Sequence, residues 1–412
     1  MLGLQVKSLL RSAKMFRFKT KKLFFLSVLL LSFGACAQLA PVRTWPELRD
    51  AVMDRVQRNA YPLTGFAQTD VKEVMQRISS LDRDEWADSW MTQGEQYMRK
   101  ALEHSKEPGL ASEDFLNAWR YFSFGAWPTQ NSVQKKKAFE RSTQAFRSYA
   151  ALQNPRIEVI RVPFEGREIV GYLQLPPGVK NPPVVLSIGG LDSYKEFVVE
   201  QYGSHYINAK LGYLALDMPG TGEAVVKVDV GAEKIFSKVI DYLKTRAELS
   251  QSNLFVMGVS WGGHWSARLG FVEKDRLKGA VVWGGPVDRY FAREWQAKAL
   301  STKEYLFDLF AARAAVYGVN DLEDFYQYGP KMSLIKSGLI SNPSTAMLLV
   351  NGEKDSQVPI EDLYALLRSG TPKEAWVNPQ GGHIGRGAGW PDIEILKNVI
   401  IPWLVRRNAI AH

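Results

Sequence analysis

The spacing of apolar residues changes character along the chain. Thirteen residues from Leu23, LFFLSVLLLSFGA, form a nearly unbroken apolar run. From Trp45 to about Leu152, apolar positions recur at helical spacing among Ala, Glu, Gln, Arg and Lys, and PELRDAVMDRVQ, DFLNAWRYFSFGAW and QKKKAFERSTQAFRSYAAL predict helices. Phe139, Phe146 and Ala150 share one stripe of the last, which reads as core packing rather than a cofactor contact. At Pro155 the texture turns to β-branched runs broken by Gly and Pro. RIEVIRVPFEGREIVGYLQLPPG predicts two antiparallel strands joined by a Gly-containing turn. NPPVVLSIGG and LGYLALDMPGTGEA predict buried strands with Gly-rich exits, AEKIFSKVIDYLKTRAEL a helix, and NLFVM, LKGAVVWGG, TAMLLVNGEKD and EAWVN further strands. Strands alternating with helices imply a mostly parallel sheet flanked by helices. Between Asp288 and about Ser333 the strand rhythm stops, and this aromatic-rich stretch predicts a helical insertion that caps the site.

Composition changes this picture in three places. With 412 residues and 46% hydrophobic content the chain can bury a large core, and it divides into residues 1–37, a helical region 38–152 and a sheet-bearing domain 153–412 with the insertion at about 288–333. The formal charge of +9 points to no nucleic-acid partner, because seven of those charges, Lys7 to Lys22, precede the apolar run with no acid among them, leaving +2 elsewhere. Basic residues, a short apolar run and small residues after it predict a signal peptide and a secreted or periplasmic protein. Met15 is a second candidate start, cleavage after Ala37 is expected, and Cys36 in a loose lipobox is the alternative, a lipid anchor. Cys36 is the only cysteine, so internal disulfides, zinc-cysteine sites and cysteine nucleophiles are excluded.

The chemistry centres on GVSWGG. Gly258-Val259-Ser260-Trp261-Gly262 fits a nucleophile elbow, with NLFVM as the strand entering the turn and GGHWSARLG as the helix leaving it. A serine needs a histidine base and an acid to orient it. Of five histidines, His104 lies in the helical region, His205 precedes the nucleophile strand, His412 is terminal and His264 falls on the nucleophile's own helix, which leaves His383 in VNPQGGHIGRG. The acid is expected between serine and histidine, on the loop of MLLVNGEKDSQVP: Asp355 first, Glu353 as the fallback. The oxyanion donors expected are the backbone N–H of Trp261 and one from the loop after VVLSIGG, Leu191 first and Gly190 second. No metal-ligand cluster or dinucleotide fingerprint is present, and no cofactor is expected.

In this order, GGLDSYKE, DMPGTGE, GVSWGG, GEKDSQVP and GGH resemble the α/β-hydrolase fold, and the helical region before the sheet makes the chain similar to the FrsA-like group, which includes 2,6-dihydroxypseudooxynicotine hydrolase and polyketide-shortening hydrolases. That resemblance implies a triad of Ser260, Asp355 and His383, with the helical region and the insertion enclosing the substrate. It implies a small-molecule substrate: an ester, or, in the second reading, a diketone cleaved at a carbon–carbon bond. An extra acid assists some of the carbon–carbon hydrolases, and Asp288 or Glu294 lies in the comparable stretch. The signal peptide departs from relatives that are mostly cytoplasmic. Tyr290, Phe291 and Trp295 are expected near the substrate, suiting an apolar or aromatic acyl group. A peptidase would carry a β-rich propeller where this chain has helices; a non-catalytic binding protein on the same scaffold is the third reading.

Overall fold

The computed structural model describes residues 42–410. The expectations about the signal peptide, Met15, cleavage after Ala37 and lipidation of Cys36 lie outside the described residues, as does His412.

Five helices come first: α1 (Trp45–Gln57), α2 (Gln68–Arg77), α3 (Arg83–Glu103), α4 (Pro108–Ala126) and α5 (Val133–Ala151). Their starts follow local chemistry. Thr44 and Glu47 form a capping box, the Asp82 carboxylate accepts the Asp84 and Glu85 N–H groups, and the Ser132 hydroxyl accepts that of Lys135. Pro108 opens α4 at a position whose N–H has no helical partner. Trp86, Trp90, Tyr121 and Phe124 bury together inside this group. The described residues, 42–410, make one compact unit, so these helices pack with the sheet rather than standing apart from it.

The sheet is built from β1 (Ile157–Phe164), β2 (Arg167–Gln174), β3 (Val184–Ile188), β4 (Gly212–Leu216), β5 (Leu254–Val259), β6 (Gly279–Trp283), β7 (Met347–Gly352) and β8 (Glu374–Asn378). Its order is β1-β2-β4-β3-β5-β6-β7-β8; β2 pairs antiparallel with β1 and β4, and every other pairing is parallel. Strands β3 to β7 are buried along their whole length, which is why they read as continuous apolar runs. Alternate residues go to opposite faces. Leu254 and Val256 join the core beneath α7 (Lys234–Thr245) and α8 (Trp261–Val272), whereas Phe255 and Met257 join the core shared with α3 to α5, α6 (Lys195–Asn208) and the C-terminal helix.

The insertion between β6 and β7 carries α9 (Arg293–Leu300), α10 (Leu309–Tyr317) and α11 (Leu322–Tyr328). Its start is pinned from α12 (Ile360–Leu367). The Asp362 carboxylate accepts the backbone N–H groups of Val287, Asp288, Arg289 and Tyr290 at 2.7, 3.2, 2.7 and 3.2 Å. This fixes where Tyr290 enters the space above the sheet.

Candidate active site

Ser260 sits where β5 ends and α8 begins, with φ 54° and ψ −127°, a backbone conformation that a residue with a side chain adopts only under constraint. Two glycines permit the turn. A Cβ on Gly258 would lie 2.0 Å from the Gly262 carbonyl oxygen, and one on Gly262 would lie 2.3 Å from that of Ile188. The Ser260 N–H donates to the Trp283 carbonyl at 2.8 Å, which ties the turn to β6.

Three loops at the C-terminal ends of parallel strands converge here. Beyond β8, His383 Nε2 lies 2.8 Å from Ser260 Oγ, and beyond β7, Asp355 Oδ2 lies 2.8 Å from His383 Nδ1. The other Asp355 oxygen accepts the N–H groups of Gln357 and Val358 at 2.7 and 3.0 Å, so the carboxylate is held by its own loop. The histidine loop is held just as firmly: Trp283 Nε1 donates to the Ile384 carbonyl at 2.6 Å, and Asn378 Nδ2 to that of Gly385 at 2.9 Å. Glu353 points away, exposed and accepting from the Tyr364 hydroxyl at 2.6 Å.

The remaining described histidines stand elsewhere. His264 is buried on α8 with Nδ1 3.2 Å from the Pro286 carbonyl, and burial, followed by the charge of Arg268, lowers its pKa to about 3. His104 pairs with Asp114 on the N-terminal helices, and His205 lies on α6.

Trp261 opens α8, so its backbone N–H is one of the first-turn donors without a helical partner. In the β3 loop the two candidates separate. The Gly190 N–H is committed to Ser193, its carbonyl and its hydroxyl both at 3.1 Å, whereas the Leu191 N–H has no partner among the described residues. Gly190 is therefore corrected from a donor to the spacer that lets this loop approach Ser260; a Cβ there would come within 3.2 Å of the serine Cβ.

Ser260, His383, Trp261 and Leu191 open onto a cavity of about 320 Å³. The N-terminal helical region supplies Arg55, Tyr61 and Trp127 to its wall, and the insertion supplies Tyr290, Tyr305 and Arg313. Trp295 is absent from that wall: its indole N–H turns to the Gln357 carbonyl at 3.1 Å, against the expectation of a substrate contact. Phe291 packs against His264 instead. Neither acid expected near the cap faces the cavity. Asp288 accepts from the Ser333 hydroxyl, and Glu294 is exposed.

Two carboxylates do line the cavity, the exposed Glu304 and Asp192, which stands two residues beyond Gly190. Burial raises the pKa of Asp192, while Tyr305, Tyr61, the charge of His383 and Trp127 pull the other way. The place of Asp192, two residues after the glycine pair, was a usable signal in the sequence. Arg55, Arg313 and Arg386 had none, because each lies in a segment with ordinary helix or loop chemistry. Among the described residues no group of His, Cys, Asp and Glu is arranged to hold a metal ion.

A family model described as FrsA-like esterase matches residues 65–372. The esterase FrsA of Photobacterium profundum is 24% identical over 65% of this chain and 64% of its own length, so the matched stretch is just under two thirds of that relative. That of Vibrio parahaemolyticus is 24% identical over 74% of this chain and 78% of its own. Among solved structures, 2,6-dihydroxy-pseudo-oxynicotine hydrolase superposes with a TM-score of 0.71 at 19% identity, covering 88% of this chain and 96% of the other. AbyA5 superposes with a TM-score of 0.67 at 19% identity, covering 87% and 94%. The fold is that of the α/β-hydrolases, with a mostly parallel sheet between two layers of helices.

Proposed function

The chain belongs to the FrsA-like esterase family, and we propose that it is a serine hydrolase that cleaves a small carboxylic ester through an acyl-enzyme. The observation carrying this reading is the unbroken chain of contacts Ser260 Oγ, His383 Nε2, His383 Nδ1, Asp355 Oδ2, each 2.8 Å long, whose serine and histidine line the cavity. Ser260 Oγ attacks the ester carbonyl as His383 Nε2 takes its proton. Asp355 holds the proton on Nδ1 and offsets the charge that forms on the ring. The Trp261 and Leu191 N–H groups donate to the oxyanion, each worth about 3 kcal/mol in such a site. His383 then protonates the departing alkoxide. It next deprotonates a water, which attacks the acyl carbonyl and frees Ser260.

Ester cleavage is preferred to carbon–carbon cleavage because the matching family model is that of an esterase, and the two acids expected to assist carbon–carbon cleavage, Asp288 and Glu294, do not line the cavity. Ser260→Ala is expected to abolish turnover of short-acyl nitrophenyl esters while the thermal melt stays within a few degrees of wild type. Retained turnover would sink the assignment of Ser260.

A further inference from the structure

The cavity wall carries more positive charge than the proposed chemistry uses. Arg313, on α10, is 2% exposed, yet its partners are neutral: Nη1 donates to Gln296 Oε1 at 2.8 Å and Nη2 to Gln357 Oε1 at 3.1 Å. No carboxylate stands within ion-pair distance of it among the described residues. The buried carboxylates of this region are already engaged, Asp355 by His383 and its own loop, Asp362 by four backbone N–H groups. Nε of Arg313 is buried with no partner, and so are Gln357 Nε2 and Trp261 Nε1, all on residues that line the cavity. The guanidinium stacks on the Tyr290 ring, 5.0 Å from its centroid, and that ring packs against Trp261, the residue after the nucleophile.

Two more arginines on this wall, Arg55 and Arg386, make no ion pair among the described residues, although the charge of Asp192 acts on Arg55. Arg55 donates to the Tyr61 and Glu304 carbonyl oxygens, and Arg386 lies over the Tyr61 ring. Burial, then the like charge of Arg43, lowers the pKa of Arg55. Asp192 faces Tyr61, Tyr305 and Trp127, and Glu304 is exposed, so neither neutralises Arg313. A purely structural tie between Gln296 and Gln357 would be served by a neutral side chain, since a buried guanidinium without a counter-ion is costly. After its two glutamine bonds the guanidinium still offers Nε–H and one N–H on each terminal nitrogen, a fork that matches a planar carboxylate.

We propose that the substrate is an anionic ester, one that carries a free carboxylate, and that Arg313 is the residue that binds it. This rests on the ester-hydrolase reading above and narrows it: the acyl or alcohol part is charged, in contrast to the apolar group that Tyr290, Phe291 and Trp295 suggested. Arg55 and Arg386 supply the surrounding positive field that draws such an anion toward Ser260.

The test uses the described protein with mono-nitrophenyl esters of succinate, glutarate and adipate, each beside an ester of the same length in which isopropyl replaces the carboxylate. Wild type should favour the best anionic ester over its apolar match by about 10- to 100-fold in kcat/KM, the size of a charged hydrogen-bonded contact, mainly through KM. Arg313→Met should collapse that ratio to about one, and Arg313→Lys should keep part of it. Fluorophosphonate labelling of Ser260 gives a readout without turnover. Glutarate should slow it, glutaramide should not, and the difference should vanish in Arg313→Met. If the Met variant does not fold, the wild-type ratio and protection decide alone. A wild type that labels at Ser260 but treats both ester types alike and is not protected by glutarate overturns the anionic substrate and leaves the hydrolase standing. A protein that neither labels nor cleaves any of these esters overturns both.

Discussion

Replacing Asp355 by Asn acts on the atom that sets which nitrogen of His383 carries the proton. One Asp355 oxygen accepts the Gln357 and Val358 N–H groups at 2.7 and 3.0 Å, and the other faces His383 Nδ1 at 2.8 Å. Asparagine has a single oxygen, and the two backbone donors of its own loop claim it. The amide NH₂ is then turned toward Nδ1, which must present a lone pair, so the ring proton moves to Nε2, 2.8 Å from Ser260 Oγ. In that tautomer the ring donates to the serine and cannot take its proton. The expected loss in kcat is about 10⁴-fold, equivalent to about 5 kcal/mol of transition-state stabilisation. KM should change little, because Asp355 does not line the cavity, and the fold should survive, because size and both backbone contacts are kept. Steady-state turnover of a short-acyl nitrophenyl ester near neutral pH, with a thermal melt on the same sample, measures both. A kcat within about tenfold of wild type, at unchanged Tm, would refute the tautomer argument. Asp355→Ala separates catalysis from support: it orphans two buried N–H groups and should add a stability loss of about 1–3 kcal/mol for each group left without a partner.

Two further outcomes are expected. His264 is held neutral by burial, with its pKa lowered from 6.5 to about 3; its contribution to stability is fully present above the unfolded value and is lost as pH falls from 6.5 toward 3, at up to about 1.4 kcal/mol per pH unit. His264→Gln should therefore shallow the acid limb of stability measured by urea denaturation, and an unchanged slope between about pH 6.5 and pH 4 would assign that limb to other groups. Gly258→Ala would place a methyl 2.0 Å from the Gly262 carbonyl oxygen, backbone against backbone. It should cost about 3 kcal/mol or more and displace Ser260, so a variant with wild-type Tm and turnover would contradict the tight-turn geometry.

Local rules reached far into this chain. The strands were legible because burial on both sheet faces turns β3 to β7 into apolar runs. Ser260 was legible because the strand-to-helix turn demands small neighbours at fixed spacing, and His383 because a chain with five histidines leaves few to weigh. These are properties of backbone sterics and short-range order, which a sequence carries in its own spacing. What the insertion presents to the cavity is a different kind of fact. Asp362 pins residues 287–290 from across the chain, and the docking that follows turns Arg313 inward, Trp295 toward Gln357 and Glu294 to solvent. Nothing in the spacing of α9 or α10 separates those faces. The choice between Gly190 and Leu191 likewise fell to one turn, in which Ser193 takes the Gly190 N–H and leaves that of Leu191. The sheet and the set of residues able to react follow from spacing along the chain; which charges look into the cavity follows from packing, because that depends on contacts between segments more than a hundred residues apart, such as Tyr61 and Tyr305, which border it together.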